Sequence, residues 1–244
     1  MSKSPESRAS VIDQRKTLHA NLSFAAAEAY KMLRTNIFFS LPDDKKCHII
    51  GVTSSLRGEG KSTTAINLSY SLAEAGKKVL LIDADMRLPS IAKKMEISND
   101  IGLSDFLVNA GDKVGTNIHK TLVHDNWHII TSGSIPPNPS ELLGSNRMKK
   151  FLEVLSERYD FIVIDLPPVT VVTDATILSP VLDGIAVVVK ENGTDRRSLN
   201  ECVRLLEMSE AKILGFIMTN VKEESGAYYK KRYGSNYYYK QVND

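Results

Sequence analysis

The sequence lacks most of the features that would place it outside the ordinary globular proteins. It has only two cysteines, Cys47 and Cys202, without Cys-x-x-Cys spacing, so it predicts neither a disulfide framework nor a zinc site. It contains no apolar run of about 18 residues and no pattern of a secretory signal. We therefore expect a cytoplasmic protein without zinc, which reaches the inner face of the cell membrane only through a partner.

A strong excess of charge is also absent. Lysine and arginine number 31 against 29 aspartates and glutamates, and a net charge of +2 does not indicate general nucleic-acid binding. Apolar residues make up 42% and charged residues 25%, which is the balance of a folded globular protein. We expect one domain over residues 23–221, preceded by a flexible arm over residues 1–22 and followed by a flexible tail over residues 222–244.

Short β-rich runs alternate with amphipathic helices along most of the chain. Several of these runs are apolar at every position, as strands are when helices cover both faces of a parallel sheet. The pattern predicts a doubly wound α/β fold with a mostly parallel sheet, whose ligands bind at the carboxyl ends of the strands. The predicted strands cover residues 48–53, 79–82, 127–131, 161–164, 185–189 and 213–218, and the predicted helices between them cover residues 62–75, 146–158 and 196–208.

A further helix is predicted at the start of the domain, over residues 24–39, and Pro42 follows it. We expect its apolar face to form an interface. Four apolar or aromatic residues recur there at helical spacing: Ala26, Tyr30, Leu33 and Ile37.

A phosphate-binding loop is predicted over residues 54–63, Ser-Ser-Leu-Arg-Gly-Glu-Gly-Lys-Ser-Thr, between the first strand and a helix. Gly58 and Gly60 allow the backbone to curl so that its N–H groups point at phosphate oxygens. Lys61 is expected to reach the β- and γ-phosphates, and the Ser62 hydroxyl to bind Mg²⁺. The residues that we expect to bind ATP are Ser55, Arg57, Gly58, Glu59, Gly60, Lys61, Ser62, Thr63 and, at the end of the last strand, Asn220.

Three aspartates follow two other apolar strands. Asp83 and Asp85 end one strand, and Asp165 ends another before two prolines. Carboxylates beside Lys61 suit Mg²⁺, which prefers oxygen ligands, so we expect Ser62, Asp83 and Asp165 to hold the metal. A second interpretation is that Asp83 and Asp85 only cap the following helix. Together the three motifs predict a P-loop NTPase that binds Mg·ATP.

These motifs resemble those of the bacterial tyrosine kinases, a branch of the P-loop NTPases related to the partitioning ATPases. The residues concerned are the loop at 54–63, Asp83-Ala84-Asp85-Met86-Arg87, Asp165-Leu166-Pro167-Pro168, and the segment over residues 136–143, Pro-Pro-Asn-Pro-Ser-Glu-Leu-Leu. Partitioning ATPases usually carry a lysine early in the loop, where this chain has Leu56. The resemblance implies an ATP-dependent tyrosine kinase in which Lys61, Asp83, Asp85 and Asp165 are catalytic.

The resemblance also implies partners. In residues 28–34, Glu28, Lys31 and Arg34 stand where the family has its Glu-x-x-Arg-x-x-Arg oligomerisation motif, with lysine for the first arginine. The family forms rings, is activated by a separate membrane adaptor and usually controls capsular or exopolysaccharide production. We expect the same here, together with protein tyrosine substrates. The alternative is a positioning ATPase of the cell-division or plasmid-partitioning kind, without kinase activity.

Tyrosines are concentrated in the predicted tail, among Gly, Ser, Asn, Lys and Arg. Alone, this composition also fits a sticky segment or a platform on which nucleic-acid bases stack. Beside an ATP site we expect phosphoacceptors instead, modified in a neighbouring subunit, and do not expect nucleic acid as a partner. Six of the nine tyrosines lie there: Tyr228, Tyr229, Tyr233, Tyr237, Tyr238 and Tyr239.

Overall fold

A computed structural model describes residues 22–42, 44–109 and 118–221. The predicted tail, with its six tyrosines, and nearly all of the predicted arm lie outside the described residues. The boundaries of the domain therefore stay a prediction.

Within the described residues, seven strands form one sheet in the order β3-β4-β2-β5-β1-β6-β7. All neighbouring strands are parallel except β3, which is antiparallel to β4. The central strands consist almost wholly of buried apolar residues, which confirms the mostly parallel, doubly wound sheet. The strands are β1 (His48–Ser54), β2 (Val79–Asp83), β3 (His119–Lys120), β4 (Trp127–Ile130), β5 (Phe161–Asp165), β6 (Gly184–Lys190) and β7 (Ile213–Thr219).

Helices cover both faces of this sheet, and each face has its own apolar core. On one face, fully buried Trp127 packs in the core, and its indole N–H donates to Ser69 Oγ at 3.0 Å. In the described part of the chain no helix is both long and apolar enough to cross a membrane. The α-helices are α1 (Phe24–Ser40), α2 (Lys61–Glu74), α3 (Ile91–Met95), α4 (Leu103–Val108), α5 (Pro139–Leu143), α6 (Asn146–Ser156), α7 (Asp174–Leu178) and α8 (Arg196–Met208).

All six predicted strands are present, with ends displaced by one residue at most, and the four predicted helices are present as well. Sequence periodicity missed β3 and the short helices α3, α4, α5 and α7. These elements have only two to six residues, which is too short for a helical or strand period to show.

The apolar face of α1 packs within the chain, so the expectation that this face forms an interface is wrong. Its Ile37 is buried in the core shared with α2, and Leu33 packs against the same core. Arg34 adds a polar contact, donating from Nη1 to the carbonyl oxygen of Ser71 on α2 at 2.7 Å. The side of α1 that faces solvent instead includes Phe24 and Phe39, which are 77% and 85% exposed.

Candidate active site

The carboxyl ends of three adjacent strands bring the predicted motifs together. Strand β5 lies between β2 and β1, and Asp165 pairs in register with Asp83 on one side and with Val52 on the other. The loop over residues 54–63 continues directly from β1 into α2. The loop, Asp83 and Asp165 therefore meet at one edge of the sheet.

The loop curls through two glycines in the left-handed region, Gly58 with φ of 77° and Gly60 with φ of 95°. Side chains rarely adopt these angles, which explains glycine at both positions. The first part of the loop is fixed to the segment after β5, because Val169 N–H donates to Ser54 O at 2.9 Å and the Thr170 hydroxyl to Ser55 O at 2.6 Å. The loop backbone is thus held in place by the chain that follows Asp165.

Lys61 contacts two of the predicted carboxylates. Its Nζ lies 2.7 Å from Asp85 Oδ2 and 3.5 Å from Asp165 Oδ1, and all three side chains are largely buried. Burial alone would lower the pKa of Lys61, but the charges of Asp165 and Asp85 outweigh burial and raise the pKa above its ordinary value. The lysine at this site is therefore a fixed positive charge.

Asp83 is fully buried and uses both carboxylate oxygens on the backbone. Oδ1 accepts from Asp85 N–H at 3.2 Å, and Oδ2 accepts from Ser90 N–H at 3.1 Å and Ile91 N–H at 3.0 Å. Ile91 begins α3, so capping of the next helix is a real role of Asp83. Burial and the adjacent Asp165 raise the pKa of Asp83 to about 7.

Asp165 offers an unpaired oxygen. Its Oδ2 is buried and has no hydrogen-bond partner in the part of the chain that the structure describes, and burial raises the pKa of this carboxyl group. Across the described residues no group of three or more His, Cys, Asp or Glu is arranged to hold a metal ion. Mg²⁺ needs no such group, because it keeps several waters and takes only one or two protein oxygens beside phosphates. The unpaired Asp165 oxygen and the Ser62 hydroxyl, 3.4 Å from Lys61 Nζ, fit this kind of site.

The remaining residues expected at the nucleotide lie around the loop. Ser55 and Glu59 are buried, whereas Arg57 and Gly58 are exposed and Thr63 is half-buried. The Thr63 carbonyl oxygen accepts from the Asn67 side chain at 2.9 Å. Asn220 is exposed just after β7, with φ of 59°.

A polar network beside the aspartates was not found by sequence reasoning. Arg87 donates from Nη2 to Ser140 Oγ at 2.9 Å and from Nε to Asp174 Oδ2 at 3.4 Å, and Ser140 Oγ donates to Asp174 Oδ1 at 2.6 Å. Asp174 is fully buried. The network joins the end of the Asp-Ala-Asp-Met-Arg motif to the segment over residues 136–143. That segment was recognised in the sequence, but Asp174, the residue that joins the two, lies in no recognised motif.

The three residues of the predicted oligomerisation motif have different surroundings. Glu28 and Lys31 pair with each other on the exposed side of α1 at 2.6 Å. Arg34 turns to α2 and bonds Ser71 of the same chain, at the carbonyl oxygen and at Oγ. Glu28 and Lys31 thus pair on the exposed side of the helix, whereas Arg34 is bonded to α2 within the chain.

Comparison with known proteins gives consistent matches. A family model described as an AAA domain matches residues 47–211. The tyrosine-protein kinase YwqD of Bacillus subtilis is 38% identical over 80% of this chain and 81% of its own length. The tyrosine-protein kinase CpsD of Streptococcus agalactiae is 37% identical, over 82% of this chain and 86% of its own. Among solved structures, the chimerical protein CapA2B2 superposes with a TM-score of 0.72 at 36% identity, over 78% of this chain and 82% of its own.

Proposed function

This chain belongs to the bacterial tyrosine kinases and is itself a protein tyrosine kinase, and on that premise we propose that it phosphorylates its own tyrosine-rich tail with Mg·ATP. The observation that carries the proposal is the cluster of Lys61, Asp85 and Asp165 beside a glycine-rich loop at one sheet edge. Such a cluster joins a phosphate-binding charge to oxygen groups suited to Mg²⁺.

Each residue of the cluster has a definable task. The N–H groups of the loop and the start of α2 bind the phosphates, and Lys61 exchanges its contact with Asp85 for the γ-phosphate. Ser62 and Asp165 would hold the metal and its water, whereas Asp83 keeps the loop before α3 in place through its three backbone contacts. Bound Mg²⁺ would supply positive charge that neutralises the phosphate oxygens.

The transfer itself needs little covalent chemistry from the protein. The tyrosine oxygen forms a bond to the γ-phosphorus while the bond from that phosphorus to the bridging oxygen breaks, and ADP leaves with that oxygen. We assign the hydroxyl proton to Asp85, which Lys61 releases when it turns to the phosphates. Lys61 stabilises the charge that develops on the transferred group.

The acceptors are the six tyrosines between Tyr228 and Tyr239, which lie outside the described residues. We propose transfer between neighbouring subunits of a ring that α1 helps to form through Glu28 and Lys31. Each phosphate adds about 1.5 to 2 negative charges, so full modification adds on the order of −10 to the tail. The resulting repulsion would open the ring.

The cellular role follows from the family. We propose that a separate membrane adaptor recruits the kinase to the inner face of the membrane and activates it, and that the output is control of capsular or exopolysaccharide production. Both assignments rest on the resemblance of the chain to its family.

The test is to incubate the purified protein with Mg·ATP and to map phosphotyrosine by mass spectrometry. Lys61→Met should reduce tail phosphorylation by at least about a hundredfold, because it removes the charge that stabilises the transition state. Lys150→Met, at an exposed position on α6, is the matched control and should leave the rate unchanged. ATP turnover without phosphotyrosine in the wild type would instead indicate a positioning ATPase.

A further inference from the structure

A glutamate in the phosphate loop has a buried carboxylate that bonds groups outside the cluster of Lys61, Asp85 and Asp165. Glu59 is only 3% exposed, and its Oε2 accepts from the N–H of Leu56 in the same loop at 2.9 Å. Its Oε1 accepts from the hydroxyl of Thr194, which lies in the connection between β6 and α8. Among the described residues Glu59 has no salt bridge, so these neutral donors are what stabilises its buried charge.

Thr194 is oriented to donate this hydrogen bond. Its hydroxyl oxygen accepts from the N–H of Lys190, the last residue of β6, at 2.9 Å. Its single hydroxyl hydrogen is therefore directed at Glu59. The backbone of the same turn is fixed as well, since Thr194 N–H donates to Lys190 O at 3.0 Å. Thr194 is thus a rigid donor, held at the end of β6.

A second threonine holds the backbone of Glu59. The hydroxyl of Thr219, the last residue of β7, donates to Glu59 O at 2.7 Å. The peptide that begins with this carbonyl continues into Gly60, whose Cα carries no side chain. A Cβ added at Gly60 would lie 3.4 Å from Thr219 Cγ2. The side chain of Glu59 is therefore held from the connection after β6, and its backbone from the end of β7.

We propose that Thr194 and Thr219 are positioning residues for nucleotide binding, and that they act through Glu59. Three hydrogen bonds to Glu59 fix the loop between Leu56 and Lys61, so that its N–H groups are already directed at the phosphates when ATP arrives. A loop that is ordered before binding loses less conformational entropy on binding. The inference rests on the proposed binding of the triphosphate by this loop.

The central variant is Thr194→Val, which has nearly the same shape but lacks the hydroxyl. It leaves the buried Glu59 carboxylate without one donor, so the Kd for the analogue AMPPNP with Mg²⁺, measured by calorimetry, should rise about tenfold. Thr194→Ser, which restores the hydroxyl, should bind almost as the wild type does. Thr219→Val, at the other strand end, should weaken binding in the same direction.

Two measurements distinguish a positioning role of Thr194 from a general loss of stability. The KM for ATP should rise with the Kd while kcat at saturating ATP changes by less than about twofold, because bound nucleotide restores the loop. In a Glu59→Ala background, Thr194→Val should have no further effect on the Kd, since the hydroxyl acts through the carboxylate. Thr176→Val is the matched control, because among the described residues the Thr176 hydroxyl bonds only the carbonyl oxygen of Thr173, just before α7. The Kd of this variant should equal that of the wild type.

The inference is overturned if Thr194→Val leaves the Kd unchanged, or if its effect persists fully in the Glu59→Ala background. A fall in kcat with an unchanged Kd would overturn it as well. The binding measurement does not require phosphotyrosine. A wild type that binds AMPPNP but never modifies its tail would thus refute the proposed function, while the effect of Thr194→Val on binding still decides the inference.

Discussion

The phosphate loop is held from two sides, called flanks here, by different kinds of hydrogen bond. On the β5 flank, the chain after Asp165 runs beside β1 and bonds it through backbone N–H groups, with Leu166 N–H on Val52 O and Val169 N–H on Ser54 O. On the opposite flank, called the β7 flank here, the contacts to Glu59 come from two side-chain hydroxyls. Thr219 ends the edge strand β7, and Thr194 lies in the connection that follows the neighbouring strand β6. One flank continues the sheet, and the other depends on individual side chains.

The difference follows from where the strands lie. Strand β5 is central and every one of its residues is buried, whereas β7 is an edge strand, with Phe216 and Met218 more than half exposed. A central strand has few ways to move without breaking the core, and an edge strand has more. We therefore expect the β5 flank to carry the chemistry and the β7 flank to adjust nucleotide affinity.

The largest loss of kinase activity is expected for Asp165→Asn, on the β5 flank. The change removes the negative charge beside Lys61 and one of the two side chains proposed to hold Mg²⁺, so tail phosphorylation should fall at least about a hundredfold. Burial raises the pKa of Asp165, so its ionised form costs stability as the pH rises above the usual range of a carboxyl group. The variant without nucleotide should therefore be as stable as the wild type, or more so, at neutral pH.

Phosphotyrosine formation and thermal unfolding, measured on the same preparation, check both parts of this prediction. A variant that loses activity together with several degrees of melting temperature would show that Asp165 holds the fold, and would remove the distinction between the flanks.

An intermediate loss, of both stability and nucleotide affinity, is expected for Gly60→Ala, which lies where the two flanks meet. With φ of 95° the new side chain is strained by about 1 to 2 kcal/mol, and its Cβ would lie against Thr219. We expect a loss of stability of that size in urea unfolding and weaker AMPPNP binding. Gly76→Ala, at a similar φ but with no described atom within 4 Å of the added Cβ, is the matched control. It should lose similar stability and keep its nucleotide affinity; equal losses of affinity in both variants would contradict a role for the contact with Thr219.

Sequence reasoning predicted the β5 flank and missed the β7 flank for a physical reason. A buried parallel strand is a continuous apolar run, and a carboxylate at its end is visible in the sequence, so Asp83 and Asp165 could be placed at one sheet edge. The contact of Glu59 with Thr194 joins residues far apart in the chain and follows no periodicity. Nothing in the sequence distinguishes Thr194 from other loop threonines.

The helices show the same limit. Helical spacing gave the apolar face of α1 correctly but not its partner, because a pattern identifies a face that must be buried and not the surface that buries it. Helix α3 was missed because it is short, and its start is bonded by the side chain of Asp83, eight residues earlier in the chain. Elements whose pattern lies within one segment could therefore be predicted from this sequence. Contacts between distant segments could not.

The smallest effect is expected for Thr170→Val, which removes one side-chain hydrogen bond from the β5 flank. Thr170 donates to Ser55 O, but Val169 N–H still holds the adjacent Ser54 O, so the loop keeps its position. The AMPPNP Kd should change by less than about threefold, against about tenfold for the corresponding loss at Thr194. Both threonine hydroxyls are partly buried and both are replaced by valine, so calorimetry on the two variants compares the flanks directly. If Thr170→Val weakens binding as much as Thr194→Val, the backbone contacts do not make the β5 flank the more rigid one.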